Sequence, residues 1–379
     1  MRSHDAIVVG AGIVGAACAL QLARAGLRVL VLEAATGTGG GATAAGMGHI
    51  IVADDSEAQF ALCKWSRRLW DELASELPSG VQRERCGCLW LAGDGAEMDL
   101  ARDKADFYND RGVRAEVLDR QQLRQAEPAL SEALAGGLRI PDDSIVYPPV
   151  AVDWMLADVV ARGGEVRRGV EVVRVEGGAV TSRAGDRLAA AVVVNAAGDR
   201  ALDLMPDSDL GSQIRPRKGH LAITERGRRL VRHQVAELGY FRSAHEPNMA
   251  SVAFNVQPRT TGQMLIGSSR QFGETSSSID HGILARMLRR AVQLLPSLAD
   301  LRVIRTWTGL RAATPDKLPF IGPVPGQRGL WLSTGHEGLG ITTSMGTGRL
   351  IAALATDAAP QIDPYPYRLD RDLASWSSE

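Results

Sequence analysis

Gly10, Gly12 and Gly15 stand in the spacing G-x-G-x-x-G near the start of the chain. Three glycines so placed suit a diphosphate. The first permits a tight turn, the second lets the backbone come close to a pyrophosphate, and the third lets a helix pack on the preceding strand. Glu33 follows Gly15 by eighteen residues. A carboxylate there can accept both hydroxyls of an adenosine ribose, which favours NAD or FAD over NADP. The flanking residues must hold these groups in place. Ala6 to Val9 is an apolar run that reads as a buried parallel strand. Ile13 to Ala25 reads as a helix whose N-terminal amides face the phosphates, with Gly26 as its stop. Arg28 to Leu32 reads as the second strand, delivering Glu33 at its end. Strand, glycines, helix, strand and acid together are far more specific than the glycines alone.

The rest of the chain is ample for two domains with large cores: 379 residues, 45% hydrophobic and 23% charged. A net charge of -1 gives no bulk attraction to nucleic acid. The densest basic cluster, Arg226, Arg228, Arg229 and Arg232, reads as a solvated face. The chain has four cysteines, too few to staple it. Cys86-Gly-Cys88 lacks a second pair for a metal site and reads as structural, and this usage fits a reducing cytoplasm. The first strand begins almost at Met1, so no leader is expected, and no apolar run reaches the ~20 residues of a membrane span. Peripheral attachment to the inner face of a membrane stays open.

Along the chain, Thr36 to Gly48 is rich in small residues and reads as an ordered loop that brings backbone amides to a ligand. Glu57 to Leu77 has amphipathic helical spacing, Arg85 to Ala92 reads as a strand, and Glu97 to Arg111 as a surface helix. A helix over Val152 to Arg162 precedes strands at Glu165 to Arg168, Val170 to Val175 and Leu188 to Asn195. Alternation in Gly219 to Thr224, Ala250 to Val256 and Gln263 to Ser268 predicts antiparallel strands, with a helix over Leu284 to Leu295. Leu330 to Ser333, a glycine-rich turn, and a helix over Thr342 to Leu354 restore the opening pattern. The expected architecture is α/β: a discontinuous Rossmann-like dinucleotide domain (1–80, 145–213, 316–379) with an inserted α+β substrate domain on an antiparallel sheet (81–144, 214–315).

Five ordered blocks resemble the D-amino-acid oxidase-like family of FAD enzymes. They are the N-terminal glycines with Glu33, Gly41 to Met47, Val194 to Gly198, Trp307 to Asp316 with Pro319 to Gly322, and Gly335 to Gly340. Within the family, GGGATAAGMGHI and GHEGLGITTS look most like D-hydroxyproline dehydrogenases of the β-subunit type. The resemblance implies FAD bound without a covalent link, since no cysteine lies near Arg311. Gly10, Ala11, Gly12, Ile13, Val14 and Gly15 would hold the pyrophosphate, and Glu33 with Ala34 the ribose. Gly41, Ala42, Thr43, Ala45, Gly46 and Met47 would run beside the flavin ring. Val172 would meet the adenine, and Ala196, Ala197 and Gly198 would bring backbone close. Gly335, Gly338, Leu339, Gly340, Ile341 and Thr342 would present a helix start to the reduced flavin.

Arg311 matches the family arginine that pairs with the substrate carboxylate. His336, His49 and His220 offer polar contacts or bases, His336 foremost because of its turn, and Glu337 an acceptor for a substrate hydroxyl or amine. Asn255 stands where glycine oxidase-like relatives carry a tyrosine, which points away from glycine and toward a cyclic imino acid with a polar substituent. The expected activity is dehydrogenation of the C–N bond of a D-amino or D-imino acid such as cis-4-hydroxy-D-proline. Electrons would pass to partner subunits or a quinone chain. Two rivals stand beside it: a sarcosine- or glycine-type oxidase using O2, and a non-catalytic electron-relay flavoprotein subunit.

Overall fold

A strand that is apolar on both sides needs cover on both, and the first strand obtains it. In the computed structural model, which describes residues 4–53, 55–208, 210, 213–239 and 250–373, Ala6 and Val8 enter one core while Ile7 and Val9 enter another. Val29 and Val31 divide from Leu30 and Leu32 in the same way. The chain forms two compact units, one from residues 1–81, 146–217 and 310–378, the other from 82–145 and 218–309.

The first unit is built on a six-stranded sheet. Its order is Phe320–Pro323, Leu330–Thr334, Val192–Asn195, Ala6–Val9, Val29–Glu33 and Glu165–Arg168. Only the Phe320–Pro323 strand runs antiparallel to its neighbour. Helices Ile13–Arg24, Glu57–Glu72, Pro148–Ala161 and Gly340–Ala355 bury their apolar residues against one face. The other face receives a three-stranded antiparallel sheet, Val172–Glu176, Ala179–Ser182 and Arg187–Ala189, through Val172, Val175 and Val180. Close helix packing depends on small residues. A Cβ added at Gly348 would lie 2.4 Å from the Ala17 carbonyl oxygen, so helix Gly340–Ala355 is pressed against helix Ile13–Arg24. Near the end of the described chain, Arg371 pairs with both carboxylate oxygens of Asp316 (2.7 and 3.0 Å), donates to the carbonyls of Leu318, Pro319 and Arg368, and lies over the Phe320 ring.

The second unit centres on an eight-stranded sheet. The order is Val303–Ala313, Arg215–Thr224, Met264–Phe272, Ser251–Pro258, Gln234–Glu237, Cys88–Ala92, Gly136–Ile140 and Glu116–Asp119. The ends Arg215 to Arg217 and Leu310 to Ala313 count with the first unit. Helix His281–Leu294 covers one face, packing Met287, Ala291 and Leu294 on Phe254, Val256, Val235 and Leu89.

Two expectations need correction. The stretch read as a loop from Thr36 to Gly48 contains a one-turn helix, Gly41–Ala44, with Thr43 buried. The single strand expected over Leu188 to Asn195 is two: Arg187–Ala189 belongs to the small sheet and Val192–Asn195 to the large one. Local apolar content cannot reveal that change of sheet. Among the described residues, no helix is long and apolar enough to cross a membrane, and no cluster of His, Cys, Asp and Glu is arranged to hold a metal. All four cysteines are free thiols. Burial pushes Cys86 up to about 11 and Cys18 to about 12, so both are poor nucleophiles.

Candidate active site

The first strand ends at Gly10, whose φ of +98° turns the chain sharply. The turn is crowded from two sides. A Cβ at Gly10 would lie 2.6 Å from the Ala196 carbonyl oxygen, and one at Gly15 only 2.0 Å from the Gly10 oxygen. Helix Ile13–Arg24 then starts from Gly12, which supplies no side-chain cap. An uncapped helix start with its positive dipole end is a ready anion site. Glu33 braces the turn: its two carboxylate oxygens accept the N–H groups of Ala11 (2.7 Å) and Ala35 (2.9 Å). A carboxylate has about four acceptor positions, so two remain for ribose hydroxyls. The donor set and the glycine cradle therefore fit an adenine dinucleotide.

Other expected cofactor residues converge on this turn. Thr43 Oγ1 accepts the Ile13 N–H at 3.0 Å, and the Gly39 N–H donates to the Ala11 carbonyl at 2.9 Å, tying the small-residue segment to the helix start. The turn at Ala196, Ala197 and Gly198 is shaped by Asn195. That buried side chain donates to the Ala201 carbonyl (2.8 Å) and accepts the Ala197 N–H (3.2 Å). Thr334, which the sequence reading did not single out, donates to the Gly198 carbonyl at 2.7 Å. A Cβ on Gly46 would fall 2.6 Å from the Ile341 side chain, and one on Gly340 3.8 Å from Val14. The helix start at Gly340 thus lies beside the first helix, as a shared ligand would need. Val172 is buried in the small sheet.

The turn after strand Leu330–Thr334 changes several expectations. His336 is not an open base. It is buried, its Nε2 lies 3.0 Å from Thr347 Oγ1, and burial drives its pKa down to about 3. It is a neutral interior histidine that fastens the turn to helix Gly340–Ala355. The Thr342 hydroxyl is also committed within the chain, donating to the His49 carbonyl (3.0 Å) and accepting the Ile51 N–H (3.2 Å). It serves to hold strand His49–Ile50, not to reach a cofactor by its side chain. His49 itself is half-buried. His220, fully buried in the second unit, accepts the Asp280 N–H at Nε2 (3.0 Å) and meets Ser269 Oγ at Nδ1 (2.8 Å). This fixes it as a support for the start of helix His281–Leu294.

Arg311 is half-buried in the last four residues of strand Val303–Ala313. A Cβ at Gly338 would lie 4.0 Å from its Cδ, so the guanidinium stem runs beside the 337–338 turn. Glu337 holds a left-handed backbone, φ +48°, which costs a residue other than glycine about 1–3 kcal/mol. Its Oε1 accepts Arg217 Nη1 at 2.9 Å. Sequence reasoning missed Arg217, because the pair is 120 residues apart in the chain.

Asn255 lies in the second unit, on strand Ser251–Pro258, opposite Ala236 on one side and Gly267 on the other. Its carboxamide Oδ1 is buried without a partner. Two residues on, Gln257 faces the same way and is fully buried with both amide atoms unpartnered. Gln234, next to it across the strands, is in the same condition. Both escaped the sequence reading: in Ser251–Pro258 the core face is carried by Phe254 and Val256, and Gln257 falls on the opposite register, where its burial leaves no mark in the pattern.

Residues 5–354 match the family model DAO, described as FAD dependent oxidoreductase. The chain belongs to that family, and its cofactor is FAD. It is similar to glycine oxidase of Geobacillus kaustophilus, 29% identical over 98% of this chain and 97% of that protein. The crystal structure of the Geobacillus enzyme superposes with a TM-score of 0.89 at 27% identity, covering 99% of this chain and all of that one. Similarity extends to hydrogen cyanide synthase subunit HcnC of Pseudomonas aeruginosa (29% identical; 97% and 95% covered). It also extends to a D-amino acid dehydrogenase of Methylobacterium nodulans (27% identical; 94% and 96% covered).

Proposed function

We propose that the protein is a FAD-dependent dehydrogenase acting on the C–N bond of a D-amino or D-imino acid, with cis-4-hydroxy-D-proline and D-proline as the leading substrates. The observation that carries this reading is Arg311 beside the 337–338 turn, on the approach to a helix start that borders Val14 of the glycine cradle. A guanidinium fork pairs with both oxygens of a carboxylate and fixes its plane. Holding that plane orients the α-carbon, which is most of what this oxidation asks of the protein. FAD, when bound, supplies the two-electron acceptor for hydride from the α-carbon. His336, neutral and fastened to Thr347, supplies no proton acceptor in this scheme. The likeness to a D-amino acid dehydrogenase supports the substrate class. Because HcnC is named a subunit, partner subunits are proposed as the electron outlet.

A panel of D- and L-amino and imino acids, scored by anaerobic bleaching of the flavin, tests the proposal. Bleaching by cyclic D-imino acids supports it; no bleaching by any small amine defeats it and favours an electron-relay role. The likeness to glycine oxidase sustains a second reading, an oxidase of sarcosine or glycine. Rapid peroxide formation, with sarcosine preferred over D-proline, selects that alternative.

A further inference from the structure

We propose that residues 302–305 form a docking edge for an extended segment of a partner protein, one that carries two apolar residues between two acidic ones. Among the described residues, strand Val303–Ala313 is the outermost of the eight-stranded sheet. An edge strand presents open N–H and C=O groups that another chain can extend. Part of this edge is occupied: the Thr308 hydroxyl donates to the Ser277 carbonyl at 2.9 Å. Its beginning is open. Arg302, Val303, Ile304 and Arg305 are four consecutive exposed residues. Val303 and Ile304 point to opposite faces of the strand, yet they are 39% and 59% exposed, so neither face is packed there. The backbone of Arg302 faces its neighbour in the sheet, with its carbonyl accepting the Glu225 N–H at 2.8 Å. By alternation Val303 and Arg305 turn their N–H and C=O groups away from the sheet, and among the described residues neither has a backbone partner beyond it.

The side chains set the chemistry of the occupant. Residues 225–228 lie against 301–302: the Arg302 N–H donates to Glu225 Oε1 at 2.9 Å, and a Cβ on Gly227 would lie 3.4 Å from the Leu301 side chain. This brings Arg226 and Arg228, both exposed, to the same corner as Arg302 and Arg305. Among the described residues none of the four forms an ion pair, and Arg305 lies over the Trp307 ring. The excess of cations is not confined to the corner. From Lys218 to Gly309 the chain carries thirteen Lys and Arg against six Asp and Glu. A second copy of this chain fits poorly. Pairing the edge with itself about its centre sets Arg302 opposite Arg305 of the copy, and like charges directly opposite are destabilising. An acidic residue opposite each arginine, with apolar residues opposite Val303 and Ile304, satisfies both the charge and the exposed apolar surface. Backbone bonds then give affinity and the side chains give selection. Arginines that only guarded an edge against aggregation would not need an open apolar pair between them.

The test uses the holoenzyme and three fluorescein-labelled peptides, followed by anisotropy at low ionic strength. The first is Thr-Glu-Val-Val-Glu-Thr, the second its counterpart with lysine for glutamate, and the third the rearranged Val-Glu-Thr-Thr-Glu-Val. The first is expected to bind, and to weaken as salt is added. The rearranged peptide should bind about fivefold more weakly or worse, since it loses the apolar pair but keeps both acids. The lysine peptide should not bind. A double variant, Arg302→Glu with Arg305→Glu, should invert the preference between the acidic and basic peptides, and its flavin content reports that it has folded. Equal binding of the two acidic peptides, or binding of an oligothymidylate as tight as the first peptide, shows a plain basic patch and overturns the inference. So does the absence of peptide binding, or a wild-type dimer on gel filtration that the double variant abolishes. The assay involves no turnover, so it fails or succeeds separately from the substrate panel.

Discussion

Nε2 of His336 lies 3.0 Å from the Thr347 hydroxyl, inside the layer between the 335–339 turn and the helix that follows it. With its pKa lowered from 6.5 to about 3, the imidazole is neutral in the folded protein at every ordinary pH. The unfolded chain binds a proton there below about 6.5, so between 6.5 and 3 the unfolded state holds more protons and stability falls as pH falls. Above pH 6.5 this contribution is constant. Urea midpoints measured from pH 7.5 to 4.5 should therefore decline, and His336→Gln should flatten the decline. A wild-type decline that the substitution leaves untouched would place its origin elsewhere.

Arg311→Leu would remove the two-pronged carboxylate contact proposed for this half-buried arginine. The expected loss is about 2–5 kcal/mol in kcat/KM, expressed mainly as a raised KM. Arg311→Lys should recover part of it, since a point charge replaces the fork. Steady-state kinetics with the best substrate of the bleaching panel measure both. An unaltered KM in the leucine variant would refute the assignment.

Glu33 has two duties in one carboxylate: it receives the Ala11 and Ala35 amides and is proposed to receive the ribose. Glu33→Ala should lose flavin during gel filtration, with a dissociation constant raised about ten- to a hundredfold. Glu33→Gln should fall between. Retention of full yellow colour by the alanine variant would show that the ribose is held otherwise.

Gln257 is fully buried with no partner on either amide atom, and Gln234 beside it matches. Gln257→Leu removes polar atoms that cost about 1–3 kcal/mol each when unsatisfied. The variant should melt at a higher temperature. Calorimetry measures the shift, and an unchanged or lower melting temperature would refute it.

The glycine spacing, Glu33 and the doubly apolar strand around Val8 were legible because each is a local requirement, met by residues adjacent in sequence. The one-turn helix Gly41–Ala44 was not, since four small residues have no periodicity, and it is Thr43 bonding to Ile13 that anchors it. The fate of His336 depends on a helix that folds back over it, and Arg217 finds Glu337 across 120 residues. Sequence patterning names residue types for such sites, but pairing at that distance is decided by packing.

The bond between Arg371 and Asp316 turns a remote piece of chain into a latch on the connector that leaves Arg311. Limited proteolysis that trims the chain ahead of Arg371 would strip Asp316 of its counter-charge and Phe320 of its cover at one stroke. The first casualty should be substrate capture, well before the glycine cradle lets go of its nucleotide.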